Sequence, residues 1–238
     1  SILEFFNYKL QRILSMNRLV TLSSLLLITF LASCNSAEIE RLERSNEALR
    51  AEFEEMKETV DYLQKEKMKL DILANKLEGI TATIKTTEGD IECEFYPKKA
   101  PIHVFSFVTR AESGFYDGTT FHRVIENFMI QGGDPLSKDN NPNNDGTGGP
   151  IAAIPHEFND INHEPGILSM ARTSDKSAGA GSQFFIMHGT SPNLDGEYTA
   201  FGKVTKGMDI VNRIATTKKD ERDRPLNKIT IRTIEVNK

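Results

Sequence analysis

Between Phe121 and Asp134 the chain reads FHRVIENFMIQGGD. One arginine, Arg123, stands among Phe121, Phe128, Met129 and Ile130, and Gln131 precedes a Gly-Gly pair. A guanidinium is always charged, planar and rich in donors. In apolar company its hydrogen bonds strengthen, so it can grip a weakly basic acceptor such as a carbonyl oxygen. A group of this kind polarises and holds; it moves no proton. Taken alone, Arg123 equally fits a surface charge on an ordinary strand, and Phe128, Met129 and Phe185 fit a barrel core.

Other chemistries fail on spacing. His156-Glu157 and His163-Glu164 lack the two-histidine helical repeat of a zinc protease. The loop DPLSKDNNPNNDGTGG resembles a calcium loop, but with Gly146 at its sixth position the twelfth is Ala152, not a bidentate glutamate. It reads instead as a long exposed loop of turn residues. Gly179-Ala180-Gly181-Ser182 lacks the glycine that follows a nucleophilic serine on a strand-to-helix elbow. Cys34 and Cys93 are far apart, so neither a disulfide framework nor a thiolate metal site follows, and no cofactor or metal is expected. A net charge of -5 gives no electrostatic case for nucleic acid.

The elements that must position these residues lie between about 80 and 238. TATIKTTEGDIECEFYP alternates through Ile84, Ile91, Cys93 and Phe95 about a Glu88-Gly89-Asp90 turn, which predicts a hairpin with Cys93 inert in the core. Pro101 opens a helix that Gly114 follows, and MDIVNRIA reads as a second helix. Short strands are expected around 119–124, 128–133, 166–172, 182–187, 198–204 and 228–236. Many short strands with two helices predict a mainly β fold, a closed antiparallel barrel with a helix at each end. His122 is expected to be a packed core histidine satisfied by its neighbours.

FHRVIENFMIQGGD, GTGGP, HEFN, PGILSMAR, SQFFI and LDGEYTAFGKV occur in this order. Together they closely resemble the cyclophilin family of peptidyl-prolyl cis-trans isomerases, and SMART followed by SAGAGSQFF is most similar to its bacterial members. The resemblance implies an eight-stranded antiparallel barrel capped by two helices, with an active groove on its outside. It implies catalytic roles for Arg123, Phe128 and Gln131, and substrate contacts from Met129, Ala171, Arg172, Phe185, Leu194 and Tyr198. Asn193 stands where well-known eukaryotic members carry tryptophan, which puts tight cyclosporin binding in doubt. Tyr198 stands where they carry histidine and still offers a ring wall and a hydroxyl.

The chemistry so implied suits these residues. Resonance holds an Xaa-Pro amide planar, so unaided rotation takes tens to hundreds of seconds. An arginine that donates to the proline carbonyl, near the imide nitrogen, weakens that conjugation in the twisted state. Going from about 0.01 to about 10 turnovers per second needs about 4 kcal/mol. One charge-assisted hydrogen bond in a dry pocket lined by Phe128, Met129, Phe185 and Leu194 supplies much of it. A module that binds Xaa-Pro segments without catalysis is the alternative, and the arginine argues against it.

Two further zones precede this domain. After Met16-Asn17-Arg18 runs LVTLSSLLLITFL, about 13 apolar residues, short for a membrane span and in keeping with a secretory signal. Leu31-Ala32-Ser33-Cys34 resembles the bacterial lipoprotein processing box, which implies acylation of Cys34. Met16 then reads as the translation start. From Ile39 to Leu77 a heptad repeat places Leu42, Leu49, Met56, Leu63, Leu70 and Leu77 at d, and Ile39, Asn46, Phe53, Val60, Lys67 and Ala74 at a. The expected organisation is upstream residues and signal over 1–33, a lipidated coiled-coil stalk over 34–79 with a homodimer possible through 39–77, and an isomerase domain over 80–238. The expected location is a bacterial envelope, periplasmic or outer-membrane, with Xaa-Pro segments of exported proteins as substrate.

Overall fold

A computed structural model describes residues 36–149 and 152–238. The signal-like segment, Met16 and Cys34 lie outside the described residues. The chain divides into two units between Lys69 and Leu70. That division falls inside helix α1, Ser36–Lys76, whose 41 residues contain neither proline nor glycine. In the first unit the seam side chains Asn46, Leu49, Phe53, Met56, Val60 and Leu63 are half-buried along the helix, and Leu42 is exposed. Short i,i+3 and i,i+4 pairs such as Lys57–Glu54 decorate its flanks. Among the described residues no helix is long and apolar enough to cross a membrane.

The second unit uses the last heptad differently. Ala74 and Leu77 are buried, and Leu77 joins the core of the sheet domain with Leu73 packed against it. These a and d positions are therefore committed within their own unit. Gly79, at φ +81°, turns the chain out of the helix.

Strands β1 (Thr81–Thr86) and β2 (Asp90–Phe95) form the expected hairpin, with Ile84 opposite Ile91 and Ala82 opposite Cys93. Six more strands follow: β3 (Arg123–Ile125), β4 (Met129–Gly132), β5 (Ile167–Arg172), β6 (Ala180–Met187), β7 (Thr199–Lys206) and β8 (Ile231–Asn237). They make one antiparallel sheet in the order β3-β4-β6-β5-β7-β2-β1-β8. The sheet curls until its edges meet. Thr120 bridges Thr230, and Phe121 donates its amide to the Ile229 carbonyl. This closure leaves few unpaired strand edges.

Helix α2 (Pro101–Glu112) packs on β7 and β8, and α3 (Met208–Ala215) packs on β2, β3 and β4. Proline opens α2, and the Glu157 carboxylate accepts from the amides of Ile102 and His103, so distant sequence caps the helix. Phe107 of α2 is fully buried among Phe95, Tyr116, Phe184 and Phe201, with ring centroids 5.1–5.5 Å away. Cys93 lies in the same core, where burial pushes its thiol up to about 12. It is inert.

Candidate active site

Cross-strand register assembles the site. Arg123 on β3 lies opposite Gln131 on β4, Gln131 opposite Phe185 on β6, and Phe185 opposite Ser169 on β5. Residues directly opposite in an antiparallel ladder share a face. The neighbours Ile130, Phe184 and Leu168 belong to the interior core, so this row lies on the other side of the sheet. There Met129, Ile167, Phe185, Met187, Leu194 and Ala200 form a second apolar cluster, with Phe128, Ala171 and Tyr198 packed at its margin. The apolar residues named from the sequence thus belong to a cluster on the outer face of the sheet, the floor of the candidate groove, rather than to the barrel core.

Arg123 departs from the expectation. It is exposed, and no carboxylate pairs with it among the described residues. The dry surroundings foreseen for it are the groove floor beside it, where Met129, Phe185 and Leu194 are at most 7% exposed. A ligand lying on that floor would have to complete the exclusion of water.

Arg172 also carries more than backbone. Its guanidinium sits 4.5 Å from the centre of the Tyr198 ring and donates to the carbonyls of Glu197 and Thr173. The cation and the ring thus pack as one unit at the margin of the outer apolar cluster. Phe185 meets Tyr198 edge-on at 5.8 Å. Leu194 is held by a short 3₁₀ turn, Pro192–Leu194, that leaves Asn193 exposed.

Under the floor lies a set of residues that the sequence reading missed. His163 contacts Asp195 through Nδ1 (3.0 Å) and Ser169 through Nε2 (2.9 Å). Types and order resemble a hydrolytic triad, yet Ser169 is 0% exposed and faces no substrate space. Burial holds the His163 imidazole below its ordinary range. The neutral ring then donates from Nδ1 to Asp195 and accepts from the Ser169 hydroxyl, bracing Phe185, which stacks on it at 6.1 Å. Gln183 was missed as well: its Oε1 accepts from Gln131 Nε2 at 2.9 Å. The alternation in SQFF was the available signal, since it puts Gln183 and Phe185 on one face.

His122 is buried as expected, but its neighbours do not satisfy it: both ring nitrogens lack a hydrogen-bond partner. Burial pushes its pKa down, so it stays neutral. It lines a recess of about 290 Å³ with Asn140, Pro142, Asp145, Arg224 and Leu226, to which none of the groove residues contributes. Among the described residues no three histidines, cysteines or carboxylates gather as a metal site.

Residues 81–236 match the family described as cyclophilin type peptidyl-prolyl cis-trans isomerase/CLD. Over 168 residues the chain is 44% identical to peptidyl-prolyl cis-trans isomerase 9 of Schizosaccharomyces pombe, covering 68% of this chain and 26% of that one. Over 145 residues it is 47% identical to a peptidyl-prolyl cis-trans isomerase of Synechococcus elongatus, covering 58% and 94%. The chain spans only 26%, 24% and 24% of the long relatives from S. pombe, Arabidopsis thaliana and Rhizopus delemar. A crystal structure of a cyclophilin type isomerase from Cryptosporidium parvum, determined in the presence of the dipeptide Ala-Pro, is similar with a TM-score of 0.61 at 34% identity, over 66% of this chain and 99% of that one.

Proposed function

Because the chain belongs to the cyclophilin type peptidyl-prolyl cis-trans isomerase family, we propose that its outer groove accelerates rotation about Xaa-Pro bonds. The observation that carries this reading is Arg123, an exposed guanidinium with no carboxylate partner among the described residues, in one cross-strand row with Gln131 and Phe185 beside an apolar floor. A proline ring seated on Met129, Phe185 and Leu194 would bring its carbonyl within reach of that cation. The hydrogen bond, formed as the peptide expels water, favours the twisted amide over the planar one. Gln131 and the backbone at Ala171 and Arg172 would hold the flanking peptide still, so that rotation is confined to one bond.

We further propose that the domain is of the bacterial type and is tethered. Cys34 would carry the lipid and hold the protein to an envelope membrane on the periplasmic side or at the outer membrane. Residues 39 to 70 would pair with a second copy as a coiled-coil stalk, with Glu52 at g meeting Lys57 at e of the partner helix. Exported proteins are then the substrates. More than one acyl chain makes such attachment stable, since a single chain is marginal.

The test is NMR exchange on an Ala-Pro peptide with the protein and its Arg123→Ala variant. The expected outcome is acceleration by the wild type and a loss of about a hundredfold in the variant, with peptide binding retained. Binding without acceleration by the wild type would instead identify a proline-recognition module.

A further inference from the structure

We infer that Asp134, which lies outside the groove, is a positioning residue that sets the Gln131 side chain through the Gly146–Gly148 loop and Gln183. The inference rests on the isomerase reading of the groove. Asp134 directly follows the Gly-Gly pair and is 0% exposed. No cation pairs with it among the described residues; backbone amides satisfy it instead. Oδ1 accepts from Leu136 at 2.8 Å, while Oδ2 accepts from both Gly146 and Gly148. A carboxylate that only tied its own turn would need the first bond and not the other two.

The loop fits that carboxylate closely. A Cβ on Gly148 would stand 2.2 Å from Asp134 Oδ1, and Gly146 has φ +85°. Both positions therefore demand glycine. The carbonyls of the same two residues turn the other way, and each accepts from Gln183 Nε2, at 2.9 Å and 2.7 Å. Two carbonyls on one side fix the orientation of the Gln183 amide, since only its NH₂ can face them. Its oxygen must then face Gln131, whose Nε2 donates to it. That in turn orients the Gln131 carboxamide, leaving its oxygen as the acceptor for the groove. From a buried carboxylate to the row that holds Arg123, every link is a hydrogen bond whose donor and acceptor cannot be exchanged.

A double-mutant cycle in the full protein tests the relay. Asp134→Asn keeps the shape but presents an NH₂ to backbone N–H groups. It is expected to lower kcat/KM for an Ala-Pro peptide by about tenfold, the scale of a small misplacement of a positioning group. In a Gln183→Leu background the same change is expected to cost less than about twofold more, because the relay is already cut. The side-chain amide signals of Gln183 should move towards those of a free amide in Asp134→Asn. Equal losses in both backgrounds, or Gln183 signals that do not move, would overturn the relay. If Asp134→Asn does not fold, Gly148→Ala takes its place, since it keeps the carboxylate and wedges the loop away. Should the wild type fail to accelerate exchange, the isomerase reading fails, and the Gln183 signals still decide the relay.

Discussion

Phe184 and Phe185 are neighbours on β6, and both are at most 5% exposed. Phe184 points inward, edge-on to Phe107 and Tyr116 with centroids 5.2 Å and 5.6 Å away, under the cover of α2. Phe185 points outward, onto His163 and Tyr198, and its neighbours include Arg123, Gln131 and Arg172 only a strand or two away. Burial is nearly the same on both faces. What differs is what lies around each ring: a helix and other aromatics on one side, and a polar rim on the other. Accessibility alone therefore fails to separate core from candidate site, whereas the chemistry of the neighbours differs between them.

The largest effect that could break this comparison comes from the phenylalanines themselves. Phe184→Ala should cost about 3–5 kcal/mol in denaturant unfolding, because a rigid aromatic cluster cannot collapse into the void. Phe185→Ala should cost distinctly less stability but most of the catalytic rate measured per folded molecule. Equal destabilisation by the two, with the rate of Phe185→Ala intact, would remove the distinction between the faces.

A smaller effect separates two of the buried imidazoles, His163 and His122. His163 is hydrogen-bonded at both nitrogens, and His122 at neither. Burial lowers the pKa of each in the fold, so the unfolded chain takes up the proton first. Their contribution to stability is thus complete above the ordinary histidine value of about 6.5 and is lost as pH falls below it. Asp134 and Asp145 pull His122 up, and Arg123 adds to the lowering. Unfolding followed from pH 7.5 to 5 should show this decline, and His122→Phe should flatten it. An unchanged slope would mean that His122 keeps its proton balance on folding.

The smallest effect is at the rim. Arg172→Ala removes the cation over Tyr198 and should cost about 0.5–1 kcal/mol of stability while loosening that wall. The expected kinetic sign is a raised KM with kcat little changed.

Much of the fold was legible in the sequence. Period-2 burial in β1 and β2, proline at the start of α2 and glycine after its end all follow local rules. Which face each groove residue takes was not legible from pattern alone. FMI and FFIM are apolar on both sides, so alternation carries no polarity there, and only pairing with β3 and β5 fixes the direction. The groove assignments came from the resemblance for that reason. The links through Gln183, His163 and Asp195 join residues 6 to 52 positions apart, beyond any periodic signal. The heptads had the opposite weakness: their pattern runs to Leu77 without a break, although Ala74 and Leu77 are buried within the sheet-containing unit.

The 3₁₀ turn at Pro192–Leu194 buries Leu194 in the groove floor and leaves Asn193 exposed beside it. The chain contains no tryptophan. An indole placed by Asn193→Trp would then be the sole source of tryptophan emission, standing at the lip of the candidate site. Its colour and intensity would report occupancy directly, turning a silent protein into its own optical sensor.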